Sequence, residues 1–351
     1  MEQIDVIKNL ITDTTIIRDK VEKDTATEQY YDSIVHALHI DHFPLVVVNT
    51  IEKKTYTIEI DGKYYLIFDR YLIETMHLLN QCVLEEDQQK VVELLFYKLA
   101  SEECYNQCKY SSAEVFAGKY LNMFEDVIKL YSSKNAIPNY LFVQQAFLIA
   151  HEIFHFYIHN NPSDQIRGML AKEAFLQRIC DYTEKEDANA AFYMADVIKD
   201  KNMVEECLCD STAVIQTMDV ASKTEKLSHL EAGIAMVVAL MNQFTISVIQ
   251  DTIKFSGDIS YERIQNLYNF RLLHLKEIIF LYLKQYVSKE ICANYQQRVE
   301  EVHNMWLKRV MEPIMIFLVK YHSLLEDNDN MQKDSADQKK IASFLKSVFL
   351  T

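Results

Sequence analysis

A chain of 351 residues and 41.2 kDa can bury a full core, so neither disulfides nor a metal is needed merely to fold it. A net charge of -15, from 51 acidic and 36 basic side chains with no strongly basic patch, excludes nucleic acid as a natural partner. Seven scattered cysteines and an N-terminus, MEQIDVIKNLITDTT, without an apolar leader core set the expectation of a reducing, cytoplasmic setting.

Only 5 Gly and 4 Pro punctuate the chain, which predicts a predominantly helical α+β protein. The first forty residues read as polar and helical. PLVVVNT and KTYTIEIDGKYYLIFD then switch to β-branched and aromatic residues, predicting a small sheet with strands near 45–50, 54–60 and 63–68. Asp61-Gly62 supplies the tight turn of a hairpin between the last two. Helical periodicity resumes at Asp69, and Pro138 followed by Asn160, Asn161 and Pro162 brackets a helix of about twenty residues. Charged helices are expected over 163–201, another amphipathic helix from NMVEECLCDSTAVIQTM, and two or three long helices over 259–325, interrupted at Pro313. Residues 232–249 carry no charge and approach the length of a membrane span, but Asn242, Gln243, Thr245 and Ser247 would need partners in lipid. The stretch therefore reads as a buried core helix. A polar linker, EDNDNMQKDSADQ, ends in a capping box, Ser335 and Gln338, ahead of a last short helix.

The bracketed helix contains HEIFH, residues 151–155. Positions four apart share a helix face, so His151 and His155 can both turn a ring nitrogen toward one ion. Glu152 lies about 100° further round, beside that ion, where a carboxylate can activate a metal-bound water. Catalytic zinc normally takes a third protein ligand. Of the glutamates between His155 and residue 232, Glu206 alone has an aspartate one turn on, Asp210, suited to accept the second ring N–H of a ligating histidine. Zinc is therefore the expected cofactor, with His151, His155 and Glu206 as ligands, Glu152 as the catalytic base and Asp210 as the orienting residue.

HExxH followed on a later helix by ExxxD resembles the gluzincin branch of zinc metallopeptidases, at His151, Glu152, His155, Glu206 and Asp210. The short ImmA/IrrE-like regulators and the Lit phage-exclusion protease are similar in plan over residues 45–220. The resemblance implies a zinc-dependent endopeptidase acting on a protein or peptide laid along an edge strand. The chain as a whole is read as N-terminal helices and a small sheet (1–135), a zinc-binding catalytic core (136–225) and a helical C-terminal region (226–351), the last outside the resemblance. Without an export signal, narrow specificity for an intracellular protein is expected.

Two other readings stay open. Glu-x-x-His recurs at Glu74–His77 and Glu300–His303, as a di-iron carboxylate bundle would require. Alternatively, zinc merely staples the helices of an interaction protein. His159 would sit about 12 Å along the axis from His151 and reads as a helix-end residue. Cys104, Cys108, Cys207 and Cys209 lack the spacing of a zinc knuckle and read as small core side chains. A transition-state donor is expected among His, Tyr or Arg. The 21 tyrosines, with His229 and His274, leave it unassigned.

Overall fold

The computed structural model describes residues 16–17, 31–36, 44–51, 53–85, 89–131, 138–160, 201–224, 227–255 and 261–326. The helices expected over 163–201, the capping box at Ser335 and the last short helix lie outside them.

The sheet comprises β1 (Ile16–Ile17), β2 (Leu45–Asn49), β3 (Tyr56–Ile60) and β4 (Lys63–Asp69), in the order β1-β2-β4-β3. Asp61 and Gly62 both hold positive φ, 52° and 73°, the geometry a two-residue hairpin turn needs to match strand twist. β3 pairs antiparallel with β4 while β2 pairs with it in parallel, so β3 forms one edge. The short strand at Ile16–Ile17 corrects the expectation of a wholly helical N-terminus; two residues carry too little alternation to read as a strand. Along β4, Leu66 and Phe68 face the main core, while Tyr65 and Ile67 pack with Val48 and Ile60 on the other face. Asp69 ends the strand and caps the next helix by accepting from the Tyr71 N–H at 2.9 Å.

Among the described residues, ten α-helices follow the sheet: α1 (Arg70–Leu84), α2 (Gln89–Asn106), α3 (Tyr110–Tyr131), α4 (Pro138–Asn160), α5 (Lys201–Thr224), α6 (His229–Lys254), α7 (Tyr261–Tyr286), α8 (Lys289–Trp306), α9 (Glu312–Lys320) and α10 (His322–Glu326). The protein is thus α+β and predominantly helical. Pro138 opens α4, where its missing N–H costs nothing. Before Pro313 the helix widens into a π turn, Leu307–Met311, since proline cannot donate to a carbonyl one turn back.

α6 is the axis of the fold and packs against α2, α4, α5, α7 and α8. α4 and α6 are both long and apolar enough to cross a membrane, but 61% and 89% of their most apolar windows are buried within the protein. The polar residues of α6 find partners there. Asn242 donates to Asn80 Oδ1 at 2.8 Å, and Thr245 donates to the Met241 carbonyl while accepting from Trp306 Nε1. At Gly233 the helices come so close that a Cβ would lie 2.7 Å from Ile279 Cγ2. One continuous core runs from Tyr31 to Leu325 and takes residues from all three regions of the chain.

Candidate metal centre

α4 and α5 pack side by side, bringing HEIFH against the segment that carries Glu206 and Asp210. His151 Nε2 and His155 Nε2 are 3.2 Å apart. His151 Nε2 lies 3.3 Å from Glu206 Oε2, and His155 Nε2 lies 3.4 Å from Glu206 Oε1. A tetrahedral ion 2.0–2.1 Å from each donor needs donor atoms about 3.3 Å apart, so this triangle has the dimensions of three ligands around one ion. Among the described residues, no other group of His, Cys, Asp or Glu converges in this way.

The far side of each ring decides what the near side can do. His151 Nδ1 lies 2.9 Å from Asp210 Oδ1, so the fold brings together the two residues that the orienting role expected of Asp210 would join. His155 Nδ1 lies 2.7 Å from Glu205 Oε1, a partner the sequence reading missed. His155 Nδ1 hydrogen-bonds Glu205, whereas His151 Nδ1 stands close to Asp210 outside hydrogen-bond geometry; carboxylates on these sides favour the ring hydrogens there, with the Nε2 lone pairs toward the Glu206 carboxylate. Acceptors so gathered repel one another unless a cation sits among them. In the metal-free chain that cation is a proton: burial works to lower the His151 pKa, but Asp210 and Glu206 override it and carry the ring up to about 10.

Arg271, on α7, closes the arrangement. Its Nε and Nη2 donate to the two oxygens of Asp210 at 3.0 and 2.8 Å, and its Nη1 lies 2.9 Å from Glu206 Oε2. Burial alone would raise Asp210, which is fully buried; Arg271 and His151 hold it down to about 2. Glu206 likewise sits well below the usual carboxylate range, its burial outweighed by the two imidazoles and Arg271.

These groups open into a cleft of about 330 Å³. Glu152 lines it beside His151 and Glu206, its carboxyl raised by burial. Tyr268 and Arg271, three apart on α7, form the facing wall, and Tyr268 Oη lies 2.8 Å from Ser247 Oγ. The segment from Lys53 to Tyr56, leading into edge strand β3, forms another side. That segment is held by a buried ion pair of Lys53 with Glu102 and by the Thr50 hydroxyl donating to Asp69. Lys53 adopts φ 52°, a left-handed conformation kept by these contacts.

The remaining sequence candidates lie apart from the cleft. Glu74 is exposed beside Arg70, His77 neighbours Gln81, Glu300 is exposed, and His303 Nδ1 lies 3.0 Å from Lys276 Nζ. No di-iron arrangement forms among the described residues. His274 sits behind α5 against Ser211 and the Cys207 carbonyl, and His229 packs near Tyr282. His159, at the helix end as expected, lies 2.8 Å from Glu205. Cys104, Cys207 and Cys209 are buried. Cys108 is exposed with φ 61° at the turn between α2 and α3, which corrects its reading as a core residue.

Glu205, Tyr268 and Arg271 escaped the sequence reading. A signal for the last two existed in their shared helix face, but nothing in the chain marks α7 as the neighbour of α5. No family model, curated protein or solved structure matches this chain.

Proposed function

We propose that the protein is a zinc-dependent endopeptidase of gluzincin type, with narrow specificity for an intracellular protein. The observation that carries the reading is the His151, His155 and Glu206 triangle, with edges of 3.2 to 3.4 Å, opening on a cleft that also holds Glu152. Zinc held by these three side chains supplies an acidified water and a Lewis acid for the peptide carbonyl. Glu152 accepts the water's proton at its carboxylate and returns it to the leaving amine. The Tyr268 hydroxyl is the donor on the facing wall for the developing oxyanion. Asp210 and Glu205 orient the two imidazoles, and Arg271 holds Asp210 and Glu206 in place. β3, an edge strand among the described residues, offers main-chain groups to an extended peptide by strand addition.

The test joins metal analysis of the purified protein to a search for new protein termini, comparing wild type with Glu152→Gln. One zinc per chain in both proteins, with new termini only from wild type, is the expected result. Identical sets of termini would sink the assignment. They would favour a second reading, a zinc staple without catalysis, to which the Arg271 contact on Glu206 lends support because it engages one oxygen of a ligand.

A further inference from the structure

α6 is apolar almost all round, yet Gln243, Ser247 and Gln250, at spacings of four and three, place a polar stripe on the cleft wall beside Ile246. Elsewhere on this helix, the Asn242 amide nitrogen and the Thr245 hydroxyl are engaged by packing partners. The stripe is not fully spent. Gln250 donates its amide to the Ile51 carbonyl at 3.3 Å, and Ser247 pairs with Tyr268. Gln243 is half-buried, and no hydrogen bond joins its side chain to a described residue.

The charges around the cleft are already matched. Lys53 is held by Glu102, which also takes Lys98 at 2.7 Å, and Arg271 is held by Asp210 and Glu206. Lys54 is exposed. Beyond Glu152 and the exposed Lys54, the cleft presents neutral amides and hydroxyls against the apolar Leu72, Phe147 and Ile246. Such a wall discriminates by hydrogen bonding: an apolar side chain entering it leaves Gln243 desolvated and unpaired, whereas an amide or hydroxyl replaces the lost water.

We infer that this cleft selects an uncharged polar side chain, glutamine or asparagine first and serine or threonine next, at a residue flanking the scissile bond, with Gln243 as the specificity-determining residue. The inference rests on the peptidase reading and names the substrate class for it. Gln243→Glu keeps the shape of the side chain and adds a charge; Gln243→Leu removes its hydrogen bonding.

The experiment digests a proteome-derived peptide library with zinc-loaded wild type, Gln243→Leu and Gln243→Glu, and reads residue frequencies around each cut by mass spectrometry. Binding of matched glutamine and leucine peptides to Glu152→Gln, followed by fluorescence anisotropy, supplies a readout without turnover. Wild type should favour amide over aliphatic side chains about tenfold at one flanking position, as one unmatched hydrogen bond implies. Gln243→Leu should reverse that preference and Gln243→Glu should move it toward lysine and arginine. The anisotropy should show the same tenfold preference for the glutamine peptide. Cleavage with an aliphatic or acidic preference, or an amide preference that survives Gln243→Leu, overturns this inference and leaves the peptidase reading standing. No cleavage by zinc-loaded wild type overturns both.

Discussion

Two buried polar clusters share helix α4, and they are built on opposite principles. Gln144 exchanges hydrogen bonds with Asn80 at 2.8 and 2.9 Å, Asn80 accepts from Asn242, and Gln144 also donates to the Ala235 carbonyl. All of these groups are neutral, and among the described residues only Asn242 Oδ1 of this set lacks a partner. The network locks α1, α4 and α6 together through hydrogen bonds between neutral groups. Two turns further along α4, His151 heads a charged cluster in which both Nε2 atoms and the Glu206 carboxylate converge within 3.4 Å. With neither a proton nor another cation among them, these atoms would repel. Neutral amides paired across three helices are a packing device; ligand atoms gathered on a common point are what a metal site requires.

That contrast can be broken at several points. Glu206→Gln removes one corner of the triangle and should reduce bound metal from one ion per chain to none at micromolar zinc, measured by atomic emission; full retention would mean the triangle is not the site. Glu152→Gln should keep the metal and lower peptide cleavage by about 10²–10⁴-fold, the ordinary worth of a general base. If its rate matches wild type, Glu152 is not that base.

Metal uptake should also depend on pH. His151 in the metal-free chain is carried up to about 10, so a proton must leave as the ion arrives, and affinity should rise about tenfold per pH unit between 6 and 8. Calorimetry in buffers of different ionisation enthalpy reads the released proton directly. Without metal, the raised ring stabilises the fold fully below its ordinary value of 6.5, and that contribution is lost as pH climbs through about 10. Asp210 has the opposite sign: held down to about 2, it stabilises above 3.8, and the gain disappears as pH falls through 2. Asp210→Asn should weaken zinc binding by about 10–100-fold without abolishing it, as judged by competition with a chelating dye.

The smallest effect belongs to the neutral cluster. Asn80→Ala strips partners from Gln144 and Asn242 and should cost about 1–3 kcal/mol in denaturant unfolding, with zinc content unchanged. A loss of zinc from this variant would show that the two clusters are coupled and erase the distinction drawn between them.

Much of this was legible in the sequence because it rests on local rules. Asp61-Gly62 forces its turn, Pro138 opens α4, and four-residue spacing alone puts His151 and His155 on one face. Glu206 and Asp210, 51 and 55 residues beyond His155, were found by asking what chemistry the histidines lacked. Arg271 could not be found that way. Its partner Asp210 lies 61 residues back on another helix, and an arginine facing a buried aspartate leaves no periodic trace. Glu205 was masked by its neighbour, since adjacent glutamates on a helix point about 100° apart and only packing decides which ring each meets. The amide network was hidden because Asn80, Gln144 and Asn242 are far apart in the chain and individually unremarkable. Their polarity reads as a flaw in an apolar helix until the partners are brought in.

The reach of Arg271 carries an implication for the order in which the protein is made. A nascent chain that has emerged only as far as α5 holds both imidazoles and both acids, but Asp210 is then a carboxylate with no guanidinium to meet it. Enclosing that carboxylate beside His151 but without the guanidinium breaks a buried ion pair, a loss of about 3–5 kcal/mol. Under the proposed reading, ion capture waits on α7, and the growing polypeptide stays catalytically inert until that later helix docks. Chains stalled before residue 271 should bind no zinc, while those stalled after α8 should.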